Sequence, residues 1–344
     1  MPAPRPTRSR TRAVLVPALV AAALLAGCTA TPGDDAPAAA TSAAPTATDA
    51  VTWPVTFDNC GFAVTVESPP QRVVTIKSST FEMMLALGLG DRVVGASFLD
   101  GPVPPAYADA ADDVEVLSDG APGQEAVLAS EPDLVYAGWE SNFADETAGR
   151  RDTLEGFGVL SYVSPSACKD ADHRPDPLTF DGVFAEITEA GELFGVPDEA
   201  ADLVAEQRDA LAAVTPDPNG RTALWYSSGS DTPYVGAGIG APQMIMDAVG
   251  LTNVAGDVHD TWTSFGWEQV VAADPDVIVL VDATWNTAAS KIAQLEANPA
   301  TATLTAVREH RYLTVPFAAT EAGVRNVAAA QDLADQLAAL GLDG

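Results

Sequence analysis

Aromatic and hydroxyl-bearing side chains recur in the short segments that follow predicted β-strands. The residues that we predict to contact a ligand are Lys77, Ser78, Ser79, Thr80, Trp139, Glu140, Asn142, Tyr226, Ser228, Tyr234, Trp262, Trp285 and Arg325. Indole and phenol rings offer area for stacking, and hydroxyl and amide groups fix orientation, so this set suits a planar aromatic ligand with a polar chain. For any single tryptophan, a place in the core is an equally good interpretation.

Three cations are candidate partners for an anionic group on that ligand, namely Lys77, Lys169 and Arg325. Lys77 is the best placed, because it directly precedes a predicted helix start, where backbone N–H groups already favour anions. The alternative for each cation is a surface salt bridge, and we favour that alternative for Arg325.

Catalytic and metal-binding patterns are weak in this chain. His173, His259 and His310 are far apart and have no metal-ligand spacing. The Gly236-x-Gly-x-Gly240 run lacks the spacing of a dinucleotide fingerprint and is interpreted as a flexible loop. We therefore expect no enzymatic activity, no cofactor and no metal site. A cell-surface enzyme or an adhesion module is the alternative from a different functional class.

The N-terminus carries export signals. Four arginines lie within residues 1–12, an apolar stretch follows, and it ends in Leu25-Ala26-Gly27-Cys28. This order predicts a signal peptide over residues 1–27, with an apolar run too short for a dedicated membrane span. Leu-Ala-Gly-Cys resembles the lipobox of bacterial lipoproteins, which implies lipid on Cys28 and a location on the extracytoplasmic face of the cell membrane. An ordinary secretory signal is the alternative.

Residues 28–52 are rich in Ala, Thr and Pro and predict a flexible tether. The chain has 17 Lys and Arg against 48 Asp and Glu, a formal charge of −31. That charge disfavours nucleic acid and anionic lipid surfaces as partners. Apart from Cys28, an exported chain with one pair of cysteines predicts a Cys60–Cys168 disulfide, with two free buried thiols as the alternative.

The elements that must position these residues alternate between strands and helices. Ser79 and Glu82 have capping-box spacing at the start of one helix. Two amphipathic helices, 180–194 and 197–214, interrupt the alternation, and a helix over about 322–340 closes the chain. We predict an α/β protein with two lobes joined by helices. The predicted bounds are 53–178 for the N-terminal lobe, 179–219 for the connecting helices and 220–344 for the C-terminal lobe.

An internal repeat supports the paired lobes. The segment from Glu125 to Ala137 recurs from Glu268 to Leu280, with Glu, Val, Ala, Pro and Asp at identical places. Each copy predicts a short helix, a Pro-Asp turn and a buried strand. A looser repeat relates residues 82–90 to 243–251, in the same order on either side of the central helices.

Together, the two lobes, the helical connector and the repeated Glu-x-Val-x-x-x-x-Pro-Asp pattern resemble the helical-backbone class of ABC-importer solute-binding proteins, which includes siderophore, haem and cobalamin binders. The resemblance implies a small-molecule ligand between the lobes, a monomer, and docking of Glu125 and Glu268 onto arginines of the ABC permease.

Five further segments carry a more specific resemblance, at 57–62, 137–142, 164–169, 225–231 and 236–242. They are similar to one actinobacterial subfamily, the proposed binder of F-420-0, a deazaflavin coenzyme precursor. This resemblance implies a deazaflavin ligand, with siderophore, haem or cobalamin as the alternatives.

Overall fold

The structure is a computed structural model that describes residues 51–342. The predicted signal peptide, Cys28 and residues 29–50 of the predicted tether lie outside that range. Among the described helices, none has the length and apolar character needed to cross a bilayer.

The N-terminal part is built on a parallel sheet. In chain order its elements are β1 (Val55–Asn59), β2 (Phe62–Val66), β3 (Val73–Ile76), α1 (Ser78–Ala86), β4 (Val93–Ser97), α2 (Ala108–Ala111), β5 (Val116–Ser118), α3 (Gln124–Ala129), β6 (Leu134–Ala137), α4 (Arg151–Gly156) and β7 (Leu160–Val163). The sheet order is β5-β4-β3-β6-β7. Every residue of β3 and β6 is buried, as expected for central parallel strands covered on both faces. The β1–β2 hairpin forms a separate antiparallel sheet.

Two helices connect the sheets, α5 (Phe180–Phe194) and α6 (Pro197–Ala212). The Thr179 hydroxyl accepts a hydrogen bond from the Gly182 N–H at 3.1 Å and caps α5, and Gly195 ends that helix in the left-handed conformation. Pro197 occupies the first turn of α6, where its missing N–H has no helical partner to lose.

The C-terminal part has a second sheet. Its elements are β8 (Thr222–Ser228), β9 (Tyr234–Gly236), α7 (Ala241–Val249), β10 (Thr252–Asn253), β11 (Trp262–Ser264), α8 (Trp267–Ala273), β12 (Val277–Asp282), α9 (Ala288–Ala297), α10 (Thr305–Arg308), β13 (Tyr312–Pro316) and α11 (Asn326–Ala339). The order is β11-β9-β8-β12-β13, with β10 also paired to β8. β9 and β11 are antiparallel, so this sheet is mixed. These three-residue strands are too short to have a sequence signature, and we did not predict them.

The repeated Asp has the same structural task in both sheets. Asp133 accepts hydrogen bonds from the backbone N–H groups of Gln71 and Arg72, just before β3. Asp276 accepts from the backbone N–H and the hydroxyl of Thr222, at the start of β8. Each carboxylate therefore fixes the entry of the central strand beside its own strand, which explains why the Pro-Asp turn occurs twice. The predicted α/β fold with paired sheets is confirmed.

One apolar core runs through all three parts. Its buried members include Val73 and Leu134 of the first sheet, Ile187 of α5, and Val279 and Leu313 of the second sheet. A continuous core means that the connecting helices help to hold the two sheets in place, and with them the loops at the strand ends.

The predicted capping box at the start of α1 is wrong. The N-cap residue is Lys77, with φ of 88°, and no side chain caps the helix. Glu82 reaches Arg325 instead. A left-handed conformation is costly for a residue with a Cβ, so the packing around Lys77 must hold it there.

Candidate ligand-binding cleft

The carboxyl ends of the parallel strands converge on a cleft of about 570 Å³. Ligands of open α/β sheets bind at such strand ends. Residues of both parts of the fold and of the segment between them line it: Ser79, Gly138, Trp139, Glu140, Ser141, Ser164, Ser166, Ala167, Lys169, Pro175, Leu178, Ser227, Tyr234, Ile239, Gly240, Ala241, Thr261, Trp262, Phe317, Thr320, Glu321 and Ala322.

Aromatic rings stand on both sides of the cleft. Tyr234 and Trp262, on the adjacent strands β9 and β11, stack with ring centroids 6.0 Å apart and planes 14° from parallel. Trp139 follows β6 on the other side, where its edge-on contact with Phe98 holds it. The Asn142 side chain accepts a hydrogen bond from the Trp139 backbone N–H at 3.1 Å and shapes the turn that carries the indole. These rings provide flat apolar area for a ligand.

A buried lysine lies under this aromatic wall. Lys77 is 0% exposed, forms an ion pair with Asp100, and lies 3.7 Å from the ring centroid of Trp139. Its Nζ is also 3.6 Å from a carboxylate oxygen of Glu321, on the opposite part of the fold. The charge of Lys77 is therefore neutralised by carboxylates of the protein itself. This geometry does not support the prediction that Lys77 offers a free cation to the ligand.

Glu321 is the acidic group of the cleft floor. Burial is the largest influence on its pKa and raises it to about 7, while the Lys77 ammonium opposes that rise and Asp100 adds to it. A side-chain hydrogen bond with Trp139 also lowers that pKa, and the Oε2 atom is buried. The floor thus carries a carboxyl group close to one buried cation and one aromatic ring of the wall.

A second ion pair joins the two parts of the fold next to the floor. Arg325, just before α11, forms a two-pronged pair with Glu82 of α1 and donates to the Pro102 carbonyl at 2.8 Å. Burial raises the pKa of Glu82, and the hydrogen bond and charge of Arg325 oppose that rise. Arg325 is not among the cleft-lining residues, so its predicted contact with the ligand has no support here.

A disulfide and a buried carboxylate hold the loop after β7 in place. The Cys60–Cys168 disulfide ties it to the β1–β2 turn. The buried carboxylate of Glu186 accepts hydrogen bonds from the backbone N–H and hydroxyl of Ser166. Burial raises the pKa of Glu186 to about 7. These contacts hold a polar stretch of the cleft wall.

Of the predicted ligand contacts, the cleft brings together Ser79, Trp139, Glu140, Tyr234 and Trp262. The others have different surroundings. Ser78 does not line the cleft, and its hydroxyl accepts a hydrogen bond from the Asp100 N–H. The Thr80 hydroxyl donates a hydrogen bond to the Ile76 carbonyl, just before α1.

Tyr226 is fully buried, with its hydroxyl bonded to the Gly229 carbonyl and to Gln294. Ser228 lies on β8 beside Tyr234, and Ser227 lines the cleft instead. Trp285 is 64% exposed and touches the edge of Phe317 without lining the cleft.

The prediction missed Phe317, Thr320 and Glu321, which directly follow β13. The rule that ligands lie beyond strand ends would have found them. We instead predicted a helix from about residue 322, whereas α11 begins at Asn326. The segment between the end of β13 and the start of α11 forms part of the cleft floor.

Glu125 and Glu268 are exposed in the first turns of α3 and α8. Their predicted docking role stays a prediction. Within residues 51–342, no group of three or more His, Cys, Asp or Glu side chains has an arrangement that would hold a metal ion.

A second cavity, of about 660 Å³, lies beside α11 and the segment after α6. No aromatic ring lines it, and its residues come from one side of the fold, so we place the candidate site in the cleft.

Comparison with known proteins fits this architecture. The family model for periplasmic binding proteins matches residues 73–319, more than half of the chain. The chain belongs to the periplasmic binding protein family.

Its relatives in this family include a cobalamin-binding protein of Halobacterium salinarum, 32% identical over 245 residues. That match covers 67% of this chain and only 59% of the relative. The uncharacterised ABC transporter substrate-binding lipoprotein YvrC of Bacillus subtilis is 26% identical over 340 residues, covering 93% and 94% of the two chains. The structure is also similar to that of an ABC-type Fe³⁺-hydroxamate transport system protein from Saccharomonospora viridis, with a TM-score of 0.69, 28% identity, and coverage of 83% and 99%.

Proposed function

We propose that this periplasmic binding protein is the extracytoplasmic solute-binding component of an ABC importer, and that its cleft takes an amide-rich metal chelate such as cobalamin or a ferric hydroxamate. The observation that carries the proposal is the aromatic-walled cleft between the two sheets, with Tyr234 and Trp262 on one side and Trp139 on the other. A chelate brings its metal already coordinated, so recognition needs ring contacts and hydrogen bonds rather than protein ligands to the metal.

The polar lining supports an amide-rich ligand. Five residues with hydroxyl side chains line the cleft, namely Ser79, Ser164, Ser166, Thr261 and Thr320, of which Ser166 and Thr320 already hydrogen-bond to Glu186 and to the Phe317 carbonyl. Hydroxyl groups both donate and accept, which suits the amide and hydroxamate oxygens and N–H groups of such chelates. The names of the Halobacterium and Saccharomonospora proteins point to the same ligand chemistry.

The charges of the cleft argue against an anionic ligand. The F-420-0 prediction and the haem alternative both require cations for phosphate or carboxylate groups. Lys77 and Arg325 are paired with carboxylates, and Glu140 and Glu321 line the cleft with Lys169. The deazaflavin prediction therefore ranks behind a neutral or cationic chelate.

The proposed importer role also requires a surface that contacts the permease. We propose that Glu125 and Glu268 dock onto permease arginines, since two exposed carboxylates, one beside each sheet, can make charge-assisted hydrogen bonds to a paired partner. We also propose that Cys28 carries a lipid and that the protein is a monomer. The name of YvrC, a lipoprotein, supports the lipid on Cys28. The absence of enzymatic activity stays a prediction.

Isothermal titration calorimetry tests the ligand class. The test ligands are cyanocobalamin, ferric desferrioxamine B, haemin and coenzyme F-420. We expect one of the two chelates to bind with a Kd below about 1 μM. Trp262→Ala should weaken that binding by about tenfold or more, because it removes one ring of the stacked wall.

Phe157→Ala is the matched control, because Phe157 is 64% exposed and lies outside the cleft lining. Tighter binding of haemin or the deazaflavin than of either chelate would reverse the proposed ligand class. Absence of binding by all four would remove the support for this cleft as the site of the proposed ligands.

A further inference from the structure

The cleft floor holds more negative than positive charge. Of the charged residues that line the cleft, two are acidic (Glu321 and Glu140) and one is basic (Lys169), while the pairs of Lys77 with Asp100 and of Arg325 with Glu82 lie beneath or beside it. Asp100 and Glu82 have the close ion pairs, with Lys77 and Arg325 respectively. Glu321 has a more distant ion-pair contact to Lys77, at 3.6 Å, and a side-chain hydrogen bond with Trp139 that lowers its pKa.

Glu321 is also the member of this group that is placed to meet a ligand. It lines the cleft, and its side chain keeps 14% of its surface exposed while Lys77 beneath it is fully buried. The Lys77 ammonium is 3.6 Å away and also pairs closely with Asp100, so it neutralises the Glu321 carboxylate only in part. A cation brought by a ligand to the exposed part of this side chain would therefore be attracted to it.

We infer that the ligand places a positively charged group against Glu321, and that Glu321 thereby selects cationic over neutral chelates. This inference rests on the proposed function and narrows its ligand class. The other charged residues that line the cleft are Glu140, which accepts from the Lys169 backbone N–H at 2.6 Å, and Lys169, whose side chain is exposed.

Contact between a ligand cation and Glu321 should make ligand binding depend on pH. Burial raises the pKa of Glu321 to about 7 in the free protein. A ligand cation stabilises the carboxylate and lowers that pKa, so binding below about pH 7 releases a proton. Affinity for a cationic ligand should then rise with pH between about 5.5 and 7, by at most about tenfold per pH unit, and level off above about pH 8.

The test uses two ligand pairs that differ mainly in charge. They are ferric desferrioxamine B, which carries an ammonium group, with its N-acetyl derivative, and aquocobalamin with cyanocobalamin. Calorimetry on the wild-type protein at pH 6 and pH 7, where both cationic ligands keep their charge, gives affinities, and repetition in buffers of different ionisation enthalpy counts released protons. We expect a preference of about tenfold for the cationic member of the pair that binds, and proton release at pH 6 for that member alone.

Glu321→Gln should abolish both the preference and the pH dependence, whereas Glu199→Gln, a change at an exposed position of α6, should leave them intact. The wild-type measurements decide the question even if Glu321→Gln does not fold. Binding of both members of a pair with equal affinity and no proton release overturns this inference and leaves the proposed function standing. Failure of all four members of these two pairs to bind overturns the proposed ligand class and this inference with it.

Discussion

The ion pair between Glu82 and Arg325 should contribute strongly to stability, because it is buried and joins the two parts of the fold. Glu82 is 1% exposed at its side chain and Arg325 is 15% exposed. Arg325→Met removes the cation and leaves the carboxylate in surroundings that water barely reaches. Removing one partner of a buried pair costs about 3–5 kcal/mol, a large share of the roughly 5–15 kcal/mol that stabilises a typical domain.

The same reasoning fixes the pH dependence of that loss. Without Arg325, burial and Asp100 raise the pKa of Glu82 unopposed. A carboxyl group whose folded pKa exceeds its unfolded value binds more protons in the folded state, so stability falls as pH rises between the two values. The loss caused by Arg325→Met should therefore be larger at pH 8 than at pH 5.

Urea unfolding followed by tryptophan fluorescence at both pH values measures these quantities. The matched control is Arg308→Met, because Arg308 is exposed on α10, where it hydrogen-bonds to Thr305 and lies near the exposed Asp274 carboxylate. The double variant Glu82→Met/Arg325→Met should recover most of the loss, since no buried charge is left unpaired. A loss below about 1 kcal/mol, or an equal loss at both pH values, would refute the reasoning.

Three further predictions concern other parts of the molecule. Replacing Glu125 and Glu268 together by Ala should leave ligand affinity unchanged and abolish uptake by cells; persisting uptake would contradict the docking proposal. Peptide mass analysis after thiol labelling should find Cys60 and Cys168 unlabelled, and replacing both by Ser should cost about 2–5 kcal/mol in urea unfolding, because the loop between them is long; labelling of either cysteine would count against the bond. The folded pKa of Glu186, about 7, makes the native protein lose stability as pH rises from 5 to 8. Glu186→Gln should therefore make the decrease in unfolding free energy between these pH values smaller by roughly 2–3 kcal/mol. An unchanged decrease would show that Glu186 does not cause it.

Much of the architecture could be predicted from the chain alone. The repeated segments that begin at Glu125 and Glu268 predicted two similar sheets, and apolar runs such as Val277–Val281 predicted buried strands. These signals are local, because a strand or helix is encoded by the residues within one short window. The same locality located Trp139 in the cleft, since it lies just beyond β6, a strand whose apolar sequence could be recognised.

The partners of the charged groups were decided only by the tertiary structure. Lys77 precedes a helix and was predicted to meet an anionic ligand, but Asp100 and the rings of Phe98 and Trp139 enclose it. Glu82 has capping-box spacing, but it pairs with Arg325, 243 residues away. A charge buried by folding must take whichever opposite charge the packing brings within reach, and sequence spacing carries no information about a partner on another part of the fold. For this reason the sequence by itself determined where the cleft would open, and the fold decided that its floor would be acidic.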